Sequence, residues 1–307
     1  MSSTVLPPRR RSGMRRRSAR LGWAFASPAL LVVAAVMIFP IVFSVIMSAN
    51  HVQVSGNGFQ LSGFTGSNYS ILLHAPRFWH DLEFTVLYTV FTVAVEMVLG
   101  TLIALVLERL TTGRGWMMAL LLMPWALITV VSAELWAYVY NGVYGVLDAF
   151  LGDFGVHDLN VLGTPMQASI AMAVADVWKT TPFVAIMVLA GLVMLPSEVV
   201  EAARVDGANG WTVFWRIRLP LLRPALAVAV LFRILQAFGL FDLPYVLTNG
   251  GPGTSTESLA VLGYKVLFND LEFGPGAAIA ATTALIVLVF CLLFLKVFRT
   301  QVGEQED

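Results

Sequence analysis

The sequence predicts an all-α, polytopic membrane protein with six transmembrane helices. Hydrophobic residues make up 58% of the 307 positions, and charged residues only 12%, whereas a soluble globular chain carries about 25% charged residues. The apolar residues form runs long enough to cross a hydrocarbon core of about 30 Å, which takes about 20 helical residues. Lysine and arginine are concentrated in alternate connecting segments, as expected for loops on one side of a membrane.

Residues 1–20 contain seven arginines and no hydrophobic periodicity, which predicts a disordered basic cytoplasmic tail. An apolar run follows from Leu21 to about Ala49. The apolar region of a secretory signal spans only about 7–15 residues. The longer run therefore predicts a first membrane span that is retained in the mature chain.

Five further apolar runs predict the remaining spans of a transmembrane domain over residues 21–300, followed by a short tail at 301–307. The six predicted spans are 21–49, 85–107, 116–140, 168–195, 226–247 and 277–297. This arrangement places fifteen lysines and arginines in cytoplasmic segments and two, Arg77 and Lys265, in outside segments. Because positive residues favour the cytoplasmic side, we expect both termini to be cytoplasmic.

The predicted cytoplasmic loop at 196–222, between spans four and five, has the pattern of a helix, a turn and a second helix. Asp206 and Gly207 form a turn signal, and Gly207 can adopt a positive φ. The second helix is predicted over residues 211–219. Pro220 is expected to end it, because proline cannot continue the backbone hydrogen bonding of a helix.

This loop resembles the EAA loop of binding-protein-dependent ABC importer permeases. The matching residues are Glu201, Ala202, Ala203, Asp206, Gly207, Ala208, Phe214, Ile217, Leu219 and Pro220. The resemblance implies the type I ABC importer permease fold, with a cytoplasmic coupling helix that lies in a groove on an ATPase dimer. The alternative interpretation is an ordinary amphipathic connector.

The segments 178–183, 241–242 and 245–248 resemble the sugar-permease branch of this family, and the closest likeness is to the first permease subunit of actinobacterial trehalose importers. The resemblance implies a cell-membrane subunit that forms half of the path for a sugar, such as a disaccharide like trehalose. It also implies three partners: a second homologous permease, an ATPase dimer and an extracytoplasmic sugar-binding lipoprotein.

The sequence contains no Gly-Lys dipeptide, and hence no phosphate-binding loop of the usual type. We therefore expect a transport subunit without catalytic residues, metal ligands or cofactors of its own, while ATP and Mg are used by the partner ATPase. The arginine-rich tail is expected to serve topology and to contact anionic membrane lipids rather than nucleic acid.

Polar and aromatic residues inside the predicted spans are candidates for the substrate path, because polar groups in a membrane are costly. The candidates are Asp176, Trp178, Lys179, Gln236, Phe238, Asp242 and Tyr245. Asp176 and Lys179 are three residues apart on one helix, where they can neutralise each other. Pro182 predicts a broken helix, which is a recurring way to line a polar site. The alternative is a kinked helix with a structural ion pair against the partner permease.

Arg233 is expected to pair with Glu96 or Glu134, or to extend towards the inner membrane face. A different functional class remains open at this point. An ion-coupled secondary transporter would use Glu96, Glu134 and Asp176 as relay carboxylates, but it would not account for the pattern at 201–220. Uptake that follows a proton gradient and ignores ATP depletion would favour this class.

Overall fold

A computed structural model of the chain describes residues 12–56, 58–155 and 160–303. Five helices in these residues are long and apolar enough to cross a membrane: Gly22–Ser48, Pro76–Arg109, Pro165–Val193, Gly210–Leu247 and Phe273–Lys296. A sixth candidate is a bent pair, Arg114–Ala126 and Thr129–Val139. The polytopic helical class is thereby confirmed, with five or six spans.

The first span consists of α1 (Ser12–Val33), a π turn (Ala34–Ile38) and α2 (Phe39–Ser48). The prediction of a disordered tail over residues 1–20 is wrong from Ser12 onward, because the helix already begins there. Arginine, methionine and alanine are strong helix formers, so the helix of the span extends into the basic segment. The rest of that tail, residues 1–11, lies outside the described residues.

A small antiparallel hairpin, β1 (Asn50–Ser55) with β2 (Gly58–Phe64), follows the first span. Next come α3 (Ser67–His74) and α4 (Pro76–Arg109). The predicted span at 85–107 lies inside α4, which begins nine residues earlier. Pro76 favours this early start, because proline at the first helical turn loses no backbone hydrogen bond.

The predicted straight span at 116–140 is instead a broken one. Helix α5 (Arg114–Ala126) and helix α6 (Thr129–Val139) meet at 88°. Leu127 and Ile128 between them have ψ angles of 140° and 136°, which are not helical values. Pro124, which lacks a backbone N–H, lies just before this break.

After α7 (Val146–Gly152) comes α8 (Pro165–Val193), which stays continuous through Pro182. The predicted break at Pro182 is therefore wrong. Pro182 is buried, and helices packed on either side tolerate a proline in a span.

The loop predicted at 196–222 forms α9 (Ser197–Val205), α10 (Gly210–Val213), a π turn (Phe214–Arg218) and then α11 (Leu219–Phe238). The prediction that Pro220 ends a helix is wrong, because the chain stays helical into α11. In the π turn the Leu219 N–H donates to the Phe214 carbonyl. This wider turn allows Pro220 to occupy the first turn of α11, where its missing N–H is not needed.

The remaining helices are α12 (Asp242–Leu247), α13 (Leu259–Tyr264), a π turn (Lys265–Asn269) and α14 (Phe273–Gly303). The predicted tail at 301–307 is helical as far as Gly303. Residues 304–307 lie outside the described part of the chain.

Helices α4, α8 and α11 form the buried centre of the bundle. A Cβ atom on Gly100 of α4 would lie 2.6 Å from the Cγ1 atom of Val184 in α8, so the two helices approach at a distance that only glycine permits. In the most apolar 18-residue window of α8, 61% of residues are buried, against 6% for the first span and 11% for α14. The central helices are therefore more buried than the first and last spans, and polar groups on their inner faces lie inside the bundle.

Candidate functional site

Helix α9 ends in a backbone motif that accounts for the Asp-Gly-Ala part of the sequence pattern. Gly207 has φ 84°, the positive value predicted from the sequence. The Ala208 N–H donates to the Ala203 carbonyl at 2.9 Å, and the Gly207 N–H donates to the Arg204 carbonyl at 3.1 Å. These two bonds form a Schellman motif, which satisfies the last carbonyls of a helix and reverses the chain.

The next residue, Asn209, caps the following helix. Its Oδ1 atom accepts a hydrogen bond from the Thr212 N–H at 2.8 Å. Further on, the Arg218 Nη1 atom lies 2.7 Å from the Glu108 Oε2 atom at the end of α4. The α9–α10 segment is therefore well defined in shape, and the π turn that follows it is joined to a central helix by an ion pair.

The residues of the sequence pattern lie in the α9–α10 segment, in the π turn that follows it and in the first turn of α11. Val200 and Val213 are buried and anchor the segment, while the pattern residues face outward to different degrees. Glu201, Ala202, Asp206 and Gly207 are exposed, and Ala203, Ala208, Phe214, Ile217, Leu219 and Pro220 are half-buried. The result is an exposed helical knob, α9–α10, at one end of the bundle.

A buried ionic cluster joins the three central helices around Arg233. Its guanidinium Nη2 atom lies 2.8 Å from Glu96 Oε1, and its Nε atom donates to Glu96 Oε2. Nη2 also lies 3.4 Å from Asp176 Oδ2. Arg233 is 2% exposed and Glu96 is fully buried. Burial of such charges is tolerated only when they are paired and hydrogen-bonded.

Of the two partners predicted for Arg233, Glu96 and Glu134, the structure shows Glu96. Among the described residues Asp176 and Lys179 form no direct ion pair. Asp176 lies against Arg233 instead. Thr180 adds to the cluster by donating to Glu96 Oε1 at 2.6 Å. Asp176 lies against Arg233 because tertiary packing places α11 beside α8. Residue spacing within a single helix cannot predict that packing.

A polar cavity of about 270 Å³ lies beside the cluster. It brings together four of the predicted substrate-path residues: Asp176, Lys179, Gln236 and Asp242. The wall also includes residues that sequence reasoning did not select: Trp125, Thr129, Thr180, Arg233, Ala237, Gly239, Leu240 and Phe241. Trp125 and Thr129 reach the cavity because they flank the bend between α5 and α6. In the sequence, Pro124 is the residue that could have predicted this bend.

Lys179 of α8 forms hydrogen bonds with the backbone at the break between α5 and α6. Its Nζ atom donates to the Leu127 carbonyl at 2.9 Å and to the Trp125 carbonyl at 3.5 Å. These carbonyls are at the end of α5, where a helix leaves its last carbonyls without backbone partners and carries partial negative charge. The ammonium group therefore caps the broken helix.

Aromatic contacts hold both arms of the bend on α8. The Trp125 ring of α5 stacks on Phe183 at 5.6 Å between centroids, and the Trp136 ring of α6 packs edge-on against Trp178, also at 5.6 Å. Trp178 does not line the polar cavity. Its ring supports α6.

Two other predicted substrate-path residues also lie away from the cavity wall. Phe238 is buried in an apolar cluster with Leu259 and Leu262. Tyr245 stacks on Phe241 and contacts Tyr264. Phe241 itself lines the cavity, so Tyr245 supports the wall from behind.

A second ion cluster fixes the glycine-rich turn that precedes α13. Glu257 accepts hydrogen bonds from Arg77 Nε at 2.8 Å and from Lys265 Nζ at 2.9 Å. Lys265 also donates to the Asn249 carbonyl at 2.9 Å. Burial acts to raise the pKa of Glu257, but the two cations hold that pKa below its usual value. The turn is thereby tied to α4.

The bundle, the exposed knob and the polar cavity at its centre define a membrane-embedded transport subunit. The fold is that of ABC transporter permeases: the structure of a bacterial alginate ABC transporter in complex with an alginate-pentasaccharide-bound periplasmic protein contains a chain that matches with a TM-score of 0.80. That match has 18% identity and covers 92% of this chain and 96% of the other. The type I permease fold is thus confirmed.

The chain belongs to the family described as binding-protein-dependent transport system inner membrane component, which it matches over residues 84–299. It is 40% identical to the trehalose/maltose transport system permease protein MalF of Thermococcus litoralis, over 94% of this chain and 97% of that protein. It is 34% identical to the trehalose transport system permease protein SugA of Mycobacterium tuberculosis, over 94% and 92%.

Proposed function

We propose that this chain is the permease subunit of an ATP-driven sugar importer, that it forms half of the translocation path, and that its cargo is a disaccharide of the trehalose or maltose kind. Its relatives MalF and SugA are trehalose/maltose and trehalose transport permeases. Membership of the binding-protein-dependent family supports a sugar-binding lipoprotein and an ATPase dimer as partners. A second homologous permease completes the path, and both termini of this chain are cytoplasmic.

The observation that carries the ATPase-docking part of the proposal is the α9–α10 knob. The knob exposes Glu201, Ala202 and Gly207, and its shape is set by the Schellman motif and the Asn209 cap. Arg218, in the π turn directly after the knob, pairs with Glu108 and so connects this region to α4, which carries Glu96 of the buried cluster. Displacement of the knob by ATP-driven closure of the ATPase would thus move a central helix. ATP and Mg are held by the ATPase, not by this chain.

The proposal is tested by uptake of labelled trehalose or maltose into liposomes that hold the complete transporter. We expect uptake to require ATP and the loaded binding protein. Glu201→Lys should abolish uptake and leave membrane insertion intact. Glu272→Lys reverses the charge of an exposed glutamate just before α14 and is the matched control, with uptake near wild type. Normal ATP-driven uptake by Glu201→Lys would contradict ATPase docking at this knob.

The ion-coupled alternative receives less support from the geometry. Two of its three relay carboxylates, Glu96 and Asp176, are bound to Arg233, and the third, Glu134, is exposed. Uptake driven by a proton gradient after ATP depletion would favour that alternative over the proposed importer.

A further inference from the structure

We infer that Gln236 is a sugar-binding residue of the polar cavity and that Arg233 orients it as a hydrogen-bond donor. This inference rests on the proposed function, because it assumes that the cavity is part of the sugar path. Gln236 lines the cavity and is exposed. Its Oε1 atom lies 3.0 Å from the Nη1 atom of Arg233.

The contact with Arg233 decides which end of the amide faces the cavity. A guanidinium has five N–H donors and no acceptor, so only the oxygen of an amide can form a hydrogen bond with it. If the Gln236 amide were reversed, its Nε2 amino group would face the Arg233 Nη1 group, and both are hydrogen-bond donors. The oxygen is therefore held on Arg233, and the Nε2 amino group with its two N–H bonds is directed away from it.

Arg233 cannot readily release this amide, because its other nitrogens are already bound. Nε and Nη2 donate to Glu96, and Nη2 also lies against Asp176. The whole guanidinium is buried, so rotation would leave charges without partners at considerable cost. Gln236 is consequently oriented in advance of ligand binding, which reduces the ordering cost on binding.

The Nε2 atom of Gln236 has no protein acceptor among residues 12–56, 58–155 and 160–303. The same cavity contains the Lys179 ammonium, with two of its protons on backbone carbonyls, and the Asp242 carboxylate. A ligand that fits these groups offers oxygen acceptors to Gln236 and a hydroxyl donor to Asp242. Sugar hydroxyls do both, since each is a donor and an acceptor.

The charges around the cavity favour an uncharged sugar. Arg233 is paired with Glu96 and Asp176, and the carboxylates of Asp176 and Asp242 line the same cavity as Lys179. In the described part of the chain, the cavity and the adjoining cluster therefore hold two cations and three carboxylates, and so no excess of positive charge for a carboxylated or sulfonated sugar. The volume of about 270 Å³ is slightly below the range of ligand sites, which is roughly 300–1,000 Å³. The cavity therefore holds part of a disaccharide, and the partner permease supplies the rest of the site.

The deciding variant is Gln236→Glu in the complete transporter. Glutamate keeps the side-chain shape and an oxygen for Arg233, but it replaces the N–H donors with an acceptor. If Gln236 only anchors Arg233, this variant should transport like wild type. If Gln236 donates to the sugar, the initial rate of trehalose or maltose uptake should fall about tenfold, the size expected for one lost hydrogen bond to a ligand. ATP hydrolysis stimulated by the loaded binding protein should persist.

Gln236→Met is the second variant, because an added negative charge can disturb assembly on its own. Methionine removes both hydrogen-bonding groups without adding charge, and we expect the same loss of uptake with intact assembly. Uptake within twofold of wild type in either assembled variant would overturn the inference, and so would failure of both to assemble, which would make the role structural. If the wild-type transporter shows no ATP-driven sugar uptake, the proposed function itself fails, irrespective of the variants.

Discussion

The guanidinium of Arg233 in α11 binds both carboxylate oxygens of Glu96 in α4, within the buried centre of the bundle. This two-point contact needs the planar fork of arginine, which lysine cannot reproduce. Asp176 of α8 lies against the same guanidinium, so a single side chain connects all three central helices. The same group holds the amide of Gln236 at the cavity.

Loss of Arg233 should be the most damaging single change in this cluster, because it leaves two buried carboxylates without their cation. We expect Arg233→Met to destabilise the protein by about 3–5 kcal/mol. Thermal unfolding of the detergent-solubilised protein measures this effect. Arg223→Met removes an exposed arginine from the same helix and should have little effect. Equal stability of the two variants would show that the cluster contributes nothing to the fold.

Lys179 should stabilise the bend between α5 and α6 through its bonds to the carbonyls of Leu127 and Trp125. Lys179→Met removes the cap and should cost about 0.3–1 kcal/mol, as expected for a cation at a helix C-terminus. Lys179→Arg keeps a cationic donor and should retain most of the stability. Thermal unfolding distinguishes the two, and an equal loss in both variants would mean that shape rather than charge matters at this position.

Gly207 should not tolerate a side chain, because its φ of 84° lies in the left-handed region. An added Cβ meets no atom within 4 Å, so the cost arises from backbone strain alone, about 1–2 kcal/mol. We expect Gly207→Ala to distort the α9–α10 knob and to lower ATP-driven uptake while insertion stays normal. Gly210→Ala is the matched control, since Gly210 also has open space around it but no positive φ. Equal uptake by both variants would contradict a need for this turn geometry.

Glu257 should make the stability of the protein depend on pH in the acidic range. Arg77 and Lys265 hold its pKa below the usual 4.5, so its contribution is fully present above about pH 4.5. That contribution is lost as the pH falls through the lower pKa of the folded protein. The difference in melting temperature between wild type and Glu257→Gln should therefore shrink as the pH falls below about 4.5. Glu272→Gln, at an exposed position, should show no such trend.

The helical membrane class, the central parts of the spans and the turn at Gly207 were predictable because each depends on local sequence. The length of an apolar run predicts the length of a span. The Asp206-Gly207 pair predicts a positive φ at Gly207, which depends only on neighbouring residues. Pairing of Arg233 with Glu96 or Glu134 was also expected, because a buried charge needs a partner. The sequence could not choose between the two, since only packing places α11 beside α4.

Local patterns failed where a neighbouring helix changes the outcome. Pro182 was expected to break its helix and does not, whereas the span containing Pro124 is bent by 88°. The difference lies in what surrounds each site, because Lys179 and the aromatic rings of α8 hold the bend. Likewise, the π turn before Pro220 allows the helix to continue.

The sequence by itself therefore determined that this protein lies in a membrane and that α9 and α10 are joined by a turn at Gly207. Both features depend on short stretches of chain, namely the length of the apolar runs and the residues of the turn. Only the tertiary structure decided which charges pair, which candidate residues share a cavity and which end of Gln236 faces it. Those outcomes depend on contacts between residues far apart in sequence, such as Glu96 and Arg233. Within the bundle such contacts prevail over local preference, because an unpaired charge or an unsatisfied carbonyl there costs more than a strained or kinked helix.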